Sequence, residues 1–175
     1  MTAFLLDWVE TALPMVAALM LAHLVSGFVV RGALVTHRTR KLWKVLLGTV
    51  LMGLATTAAL GGVWQIALVV ATAFLFIDCL FLLVVPRAHQ GSLVEFLLHQ
   101  ALQLGVLVAA ATVWPEALSV GLWAGDVADL LAPCMVLVGF LLATAFGAPL
   151  VASLLHPFPS QPAADDLPGA GLTIG

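Results

Sequence analysis

Charge is what this sequence has least of. Asp, Glu, Lys and Arg make up 9% of its 175 residues, against about 25% in an ordinary soluble domain. A chain so poor in charge cannot clothe a water-facing surface, which excludes a conventional soluble domain. Six basic residues and a formal net charge of −3 leave too little positive charge to neutralise a run of phosphates, so nucleic acid is excluded as a partner. Cysteine is scarce too. Cys79 and Cys134 both fall within apolar stretches, where a thiol acts as a small hydrophobe rather than as half of a disulfide or metal pair. The sequence contains no phosphate-binding loop, serine-triad pattern or zinc-protease motif. Its first residues lack a basic stretch, and Asp7 and Glu10 precede the first long apolar run, unlike a cleavable signal peptide.

What is abundant is apolar surface: 63% of the residues are hydrophobic. A helix needs about 20 mainly apolar residues to cross a hydrocarbon core about 30 Å thick. The expected fold is therefore all-α, a polytopic transmembrane helical bundle of about five spans. These are placed at residues 13–34, 45–60, 63–85, 93–113 and 131–155. They form one transmembrane domain over 1–158, followed by a flexible tail over 159–175. Residues 1–12 read as a short amphipathic lead-in at the interface. Pro14 falls in the first turn of the first span, where a missing N–H costs least. Gly61-Gly62 marks a tight turn, Pro86 ends the third span, and Pro149 predicts a kink in the fifth. Residues 116–130 leave the span count open by one, because they could form a re-entrant or interfacial helix.

Orientation follows from the basic residues. Arg31, Arg38, Arg40, Lys41, Lys44 and Arg87 all lie in, or at the edges of, the loops after the first and third spans. Those two loops share a side, expected to be cytoplasmic, which puts the N-terminus outside and the C-terminus inside an inner membrane of bacterial type. Trp8, Trp64, Trp114 and Trp123 map to the outer interface and Trp43 to the inner one, as amphipathic rings prefer. His37, His89 and His156 are interfacial and carry no site signal. Glu95 opens the fourth helix, where a carboxylate complements the positive end of the dipole.

Small residues recur every four positions on two spans: Gly53, Thr57 and Gly61 on the second, and Gly139, Ala143 and Gly147 on the fifth. Such a face lets two helix backbones approach closely. The spacing leaves open whether the partner helix belongs to this chain or to another.

Polar side chains in hydrocarbon are costly, and each one marks a candidate site. His23 lies on the first span, Asp78 on the third, and His99, Gln100 and Gln103 on the fourth. A helix rises 1.5 Å per residue, so depth can be counted. Asp78 is about 21 Å below Trp64, His99 about 9 Å above Leu93, and His23 about 14 Å below Pro14. All five polar groups therefore fall in one slab of the bundle. His99 and Gln103, four residues apart, share a helix face. Three readings fit this set. It could be a buried hydrogen-bond network, since unmatched polar groups in hydrocarbon cost several kcal/mol each and so cluster. It could be a metal or proton-handling site built on His23, Asp78 and His99, although no local ligand spacing supports it. Or His23 or His99 could be the axial ligand of a haem or other pigment.

Four segments carry a family resemblance. They are His23-Leu24-Val25-Ser26-Gly27-Phe28, Phe74-Leu75-Phe76-Ile77-Asp78, His99-Gln100-Ala101-Leu102-Gln103 and Ala170-Gly171-Leu172-Thr173-Ile174-Gly175. Together the chain resembles an uncharacterised family of bacterial polytopic membrane proteins whose pattern reads HLxxDF, HxxxD, DQxxxH and AGxxIGxLER. His23, Asp78 and Gln100 match that pattern. Gly27 replaces an Asp, Phe74 a His, His99 an Asp and Gln103 a His, and the family usually continues beyond the last motif. The resemblance implies a degenerate member that kept the fold and lost four of the polar groups. It leads to the expectation of an accessory or structural subunit of a membrane complex, in contact with the lipid bilayer and with other membrane-protein subunits. Two alternatives stand beside it: a membrane-embedded enzyme or transporter-like protein with a His/Asp intramembrane site, and a pigment- or haem-binding subunit.

Overall fold

In the computed structural model, residues 2–30, 42–85 and 92–155 are described. The apolar runs form helices throughout. α1 spans Thr2–Leu24 and continues as a π-turn over Val25–Val30; α2 spans Leu42–Ala59, α3 Trp64–Val84 and α4 Leu93–Val113. A short 3-10 turn over Pro115–Ser119 leads to α5, Val127–Leu141, which runs through a π-turn at Leu142–Phe146 into α6, Gly147–Leu155. Among the described residues there is no strand. The all-α helical bundle expected from composition is what the chain forms.

Four helical stretches are long and apolar enough to cross a membrane: Leu42–Ala59, Trp64–Val84, Leu93–Val113 and Val127–Thr144. The first helix carries a shorter described apolar stretch, Ala12–Gly27. Its backbone nonetheless stays helical from residue 2 to residue 30, about 40 Å at helical rise. Residues 2–12 are thus not a separate lead-in but the start of α1. In consequence Pro14 sits inside the helix rather than in its first turn. One proline is tolerated in a helix whose neighbours re-satisfy the freed carbonyl.

α1 is the hub of the bundle. It packs against α2, α4, α5 and the 3-10 turn, while α2, α3 and α4 follow one another as neighbours. Accordingly Met15, Leu19 and Leu24 of α1 are fully buried, together with Leu60, Val70 and Leu107 from the elements around it. α5 is peripheral. Val138 is its one buried side chain, and Met135, Val136, Leu137 and Phe140 are exposed. Phe96 of α4 stacks against Phe146 at a centroid distance of 5.2 Å and ties the last rod to the bundle.

The helix α2 ends in a Schellman motif. Gly62 N–H donates to the Thr57 carbonyl at 2.8 Å and Gly61 N–H to that of Ala58 at 3.1 Å, with Gly61 at φ +64°. Only glycine enters that conformation without cost. The segment after the 3-10 turn folds back onto this corner: Leu122 N–H donates to the Gly61 carbonyl at 2.9 Å, and Trp123 Nε1 to that of Ala58 at 3.0 Å. A Cβ on Gly61 would collide with the Leu122 backbone nitrogen, and one on Gly121 with the Leu60 carbonyl. Residues 116–130 therefore supply a plug of turns and the first residues of α5, not a re-entrant helix. Ala117 and Leu118 are its buried anchors.

The two small-residue stripes part company here. Gly53 faces Ala71 of α3, whose methyl would lie 3.5 Å from an added Cβ, and the Thr57 hydroxyl turns back to the Gly53 carbonyl at 2.8 Å. Gly61 belongs to the corner rather than to the helix face, because the backbone has already left helical geometry there. Nothing lies within 4 Å of a Cβ added to Gly139 or Gly147, and Ala143 is exposed. The second stripe makes no close contact among the described residues. Pro149 lies within α6, Gly147–Leu155, and the π-turn at Leu142–Phe146 ends two residues before the proline's immediate neighbour. A proline at 149 cannot donate to the carbonyl four residues back, so regular α-bonding fails across this stretch. Arg31, His37, Arg38, Arg40, Lys41, Arg87, His89, His156, the tail over 159–175 and the segment Ala170–Gly175 lie outside the described residues.

Candidate functional site

Asp78 projects from the buried face of α3, in register with Phe74, Ile77 and Phe81. It meets α4, whose inward face carries Glu95, His99 and Gln103 at successive four-residue intervals. His99 Nε2 lies 2.7 Å from Asp78 Oδ1, a distance typical of charge-assisted hydrogen bonds. Gln103 Nε2 donates to the same oxygen at 3.3 Å. The side chains of His99 and Asp78 retain 17% and 6% of their accessible surface, so the pair lies inside the bundle with the imidazole nearer its edge. Phe81 holds the His99 ring edge-to-face at 4.9 Å, which fixes the imidazole over the carboxylate.

The second histidine comes from α1. His23, buried, directs Nε2 at Gln100 Oε1 at 3.2 Å, and its ring stands edge-to-face against Phe74 at 5.4 Å. One turn later Ser26 is buried, with Oγ 3.3 Å from the His23 carbonyl and 3.2 Å from Met52 Sδ. Between these groups is a cavity of about 160 Å³. His23, Ser26 and Gly27 of α1 line one side. Gly48, Thr49 and Met52 of α2 line another, and Phe74, Asp78, His99, Gln100 and Gln103 of α3 and α4 close it. All five polar residues picked out by depth thus reach one cavity.

The metal reading gains no support from this geometry. Among the described residues no three His, Cys, Asp or Glu side chains converge on a metal position. His23 is turned to Gln100, and the Asp78–His99 contact is a pair rather than a centre. A haem or pigment is no better accommodated. Both imidazoles direct Nε2 at side chains, and about 160 Å³ is less than the roughly 300–1,000 Å³ of sites for drug-sized ligands. What the arrangement can do is hold and exchange a proton between imidazole and carboxylate, next to space for a small solute.

Six lining residues were not expected as members of the polar cluster: Ser26, Gly27, Gly48, Thr49, Met52 and Phe74. Such residues are ordinary in a membrane helix, so only the rotational phase of α1, α2 and α3 could have singled them out. Glu95 was assigned to the helix dipole. It does lie in the first turn, where Ser92 Oγ accepts from its N–H at 3.3 Å, but its side chain is also buried. Cys79 and Cys134 are half-buried free thiols. A second cavity, of about 180 Å³, lies between α1, α2, the 115–126 segment and α5, and its walls are apolar apart from Trp123 and Cys134.

Comparison of the chain with family models, with curated proteins and with solved structures finds no match.

Proposed function

We propose that this protein is a transporter-like integral membrane protein whose Asp78–His99 pair exchanges protons at a solute-sized cavity inside the bundle. One observation carries the reading: His99 Nε2 lies 2.7 Å from Asp78 Oδ1 at the wall of a polar cavity, among helices long and apolar enough to cross a membrane. A carboxylate is expensive in hydrocarbon, and such groups mark proton relays and solute paths. A network serving stability alone would close around its polar groups, and here space is left beside them.

The motif resemblance supports the same assignment. His23, Gly27, Phe74, Asp78, His99, Gln100 and Gln103, the matched and replaced positions of its first three motifs, all line that cavity. We therefore read the chain as a degenerate relative of the uncharacterised bacterial family, in which a larger polar set has contracted to one carboxylate, two imidazoles and two amides. We further propose residence in an inner membrane with the N-terminus outside, an orientation supported by the side that the six basic residues share.

The test is infrared difference spectroscopy on the protein in lipid nanodiscs, following the carboxylic C=O stretch as pH is varied. A band that appears with falling pH and is lost in Asp78→Asn supports proton exchange. Spectra identical in wild type, Asp78→Asn and His99→Gln would refute it.

A subunit role is the second reading, and one observation favours it. Among the described residues nothing lies close to Gly139 or Gly147 of the Gly139–Ala143–Gly147 stripe, and the stripe lies on the rod that holds the least buried of the candidate spans. A transmembrane helix of another subunit would fit such a face. Native mass measurement in mild detergent decides. A stable monomer without a co-purifying partner removes this reading and leaves the first untouched.

A further inference from the structure

We infer that the cavity among α1, α2, α3 and α4 binds a small primary-ammonium solute, which enters in exchange for a proton on the Asp78–His99 pair. The inference rests on the proton-exchange reading and adds the chemical class of the solute.

The argument is an inventory of donors and acceptors. A hydroxyl has one proton to donate and two lone pairs to accept, and a side-chain amide has one oxygen and one NH₂. Thr49 Oγ1 donates its proton to the Val45 carbonyl at 3.0 Å. Ser26 Oγ has its proton within reach of the His23 carbonyl and Met52 Sδ. Gln103 turns its amide nitrogen to Asp78. What these three residues can still offer a solute is chiefly oxygen, two hydroxyl lone-pair sets and the Gln103 Oε1, beside the second N–H of the Gln103 amide. Gln103 is only 4% exposed, and it faces the cavity. Asp78 adds the negative charge. The amide donors of the wall are Gln100, whose oxygen accepts from His23, and the remaining N–H of Gln103.

A carboxylate ringed by two hydroxyl oxygens and an amide oxygen favours a donor of positive charge over an anion. An ammonium group has three N–H donors and no acceptor, and the Phe74 ring in the wall suits a cation. The volume separates an organic ammonium from a bare ion. A water molecule's share of liquid volume is about 30 Å³, so about 160 Å³ takes several heavy atoms rather than one.

Charge balance supplies the coupling. Among the described residues, the ionisable side chains in the cavity wall are Asp78 from α3, His99 from α4 and His23 from α1; α2 contributes only Gly48, Thr49 and Met52. Among the described residues, Glu95 lies one turn before His99 and Lys44 one turn before Gly48. With a proton on the pair, imidazole and carboxylate are compensated together. An arriving ammonium takes over the compensation of Asp78, the proton leaves to water, and the net charge of the cavity is unchanged. No bond to carbon is made or broken. A site that kept both cations would hold an uncompensated charge in hydrocarbon, which is strongly disfavoured.

The experiment uses the whole chain in nanodiscs, with methylammonium as the probe and proton release read by an indicator dye in weak buffer. Methylammonium should release up to about one proton per protein, and its apparent affinity should rise about tenfold per pH unit while the pair is still protonated. Sodium, potassium and tetramethylammonium, which carry no N–H donor, should release none. Asp78→Asn should abolish the release. Thr49→Val, which leaves Asp78, His99 and Gln103 in place, should weaken binding about three- to tenfold while the Asp78 infrared titration persists. If sodium or potassium matches methylammonium, recognition by N–H donors is overturned. If the Asp78 band titrates but methylammonium releases no proton, the solute class is wrong and the proton-exchange reading stands. If neither signal appears, both fall.

Discussion

The α1–α4 body and the α5–α6 rod are built from equally apolar sequence and differ in what they bury. In the body, each helix gives at least one polar side chain to the interior: His23 and Ser26 from α1, Thr56 from α2, Asp78 from α3, Glu95 and Gln103 from α4. In the rod, Val138 is the only side chain buried among the described residues. The small residues follow the same division. Gly53 meets Ala71 and Gly61 meets the backbone of 121–122, whereas Gly139 and Gly147 meet nothing within 4 Å. Hydropathy alone places a helix in the membrane. Polar residues and close-approach glycines determine whether it joins the working interior or stays at the rim.

The largest effect expected from this contrast comes from exchanging its glycines. Gly61→Val should lose at least about 3 kcal/mol, since it forces a β-branched residue to positive φ and drives a side chain into the Leu122 backbone. Gly139→Val should stay within about 0.5 kcal/mol, as surface changes away from contacts do. Reversible unfolding in mixed micelles measures both. Equal losses would mean that the rod is packed in a way its exposure does not show.

His99→Leu ranks next. It takes from Asp78 the 2.7 Å contact with His99 and should cost about 1–2 kcal/mol, the upper range for a hydrogen bond between membrane helices. Leu137→Ala on the exposed face of α5 should cost clearly less in the same assay. If the two are alike, the Asp78–His99 contact adds nothing to stability beyond ordinary packing.

The smallest effect concerns Thr56. Its hydroxyl is fully buried with no hydrogen-bond partner among the described residues. The threonines at 49, 57, 72, 112 and 144 instead bond the carbonyl one turn back. Thr56→Val should thus be neutral or stabilising by up to about 1 kcal/mol, because it removes an unsatisfied group while keeping its shape. A loss above about 1 kcal/mol would show that the hydroxyl has a partner after all, such as an internal water.

Much of this was legible by counting. Helical rise is fixed, so residue number gives depth, and depth alone grouped His23, Asp78, His99, Gln100 and Gln103 before any contact was known. Rotation about the helix axis is harder to read when nearly every face is apolar. The stripe Gly53–Thr57–Gly61 looked continuous, yet the chain turns at Gly61. Ser26, Thr49 and Met52 carry no polarity signal strong enough to show which side of α1 and α2 faces the cavity. The start of α1 at Thr2 escaped notice because Asp7 and Glu10 broke the hydropathy without breaking the helix.

The central claim is that Asp78 exchanges a proton inside the bundle, and the infrared spectrum of its carboxyl group addresses it most directly. With the protein in nanodiscs, a protonated-carboxylic C=O band should appear as pH falls, shift on ¹³C-labelling of aspartate, move its midpoint in His99→Gln and vanish in Asp78→Asn. A spectrum without a pH-dependent band assignable to Asp78 at any pH the fold survives would contradict the account.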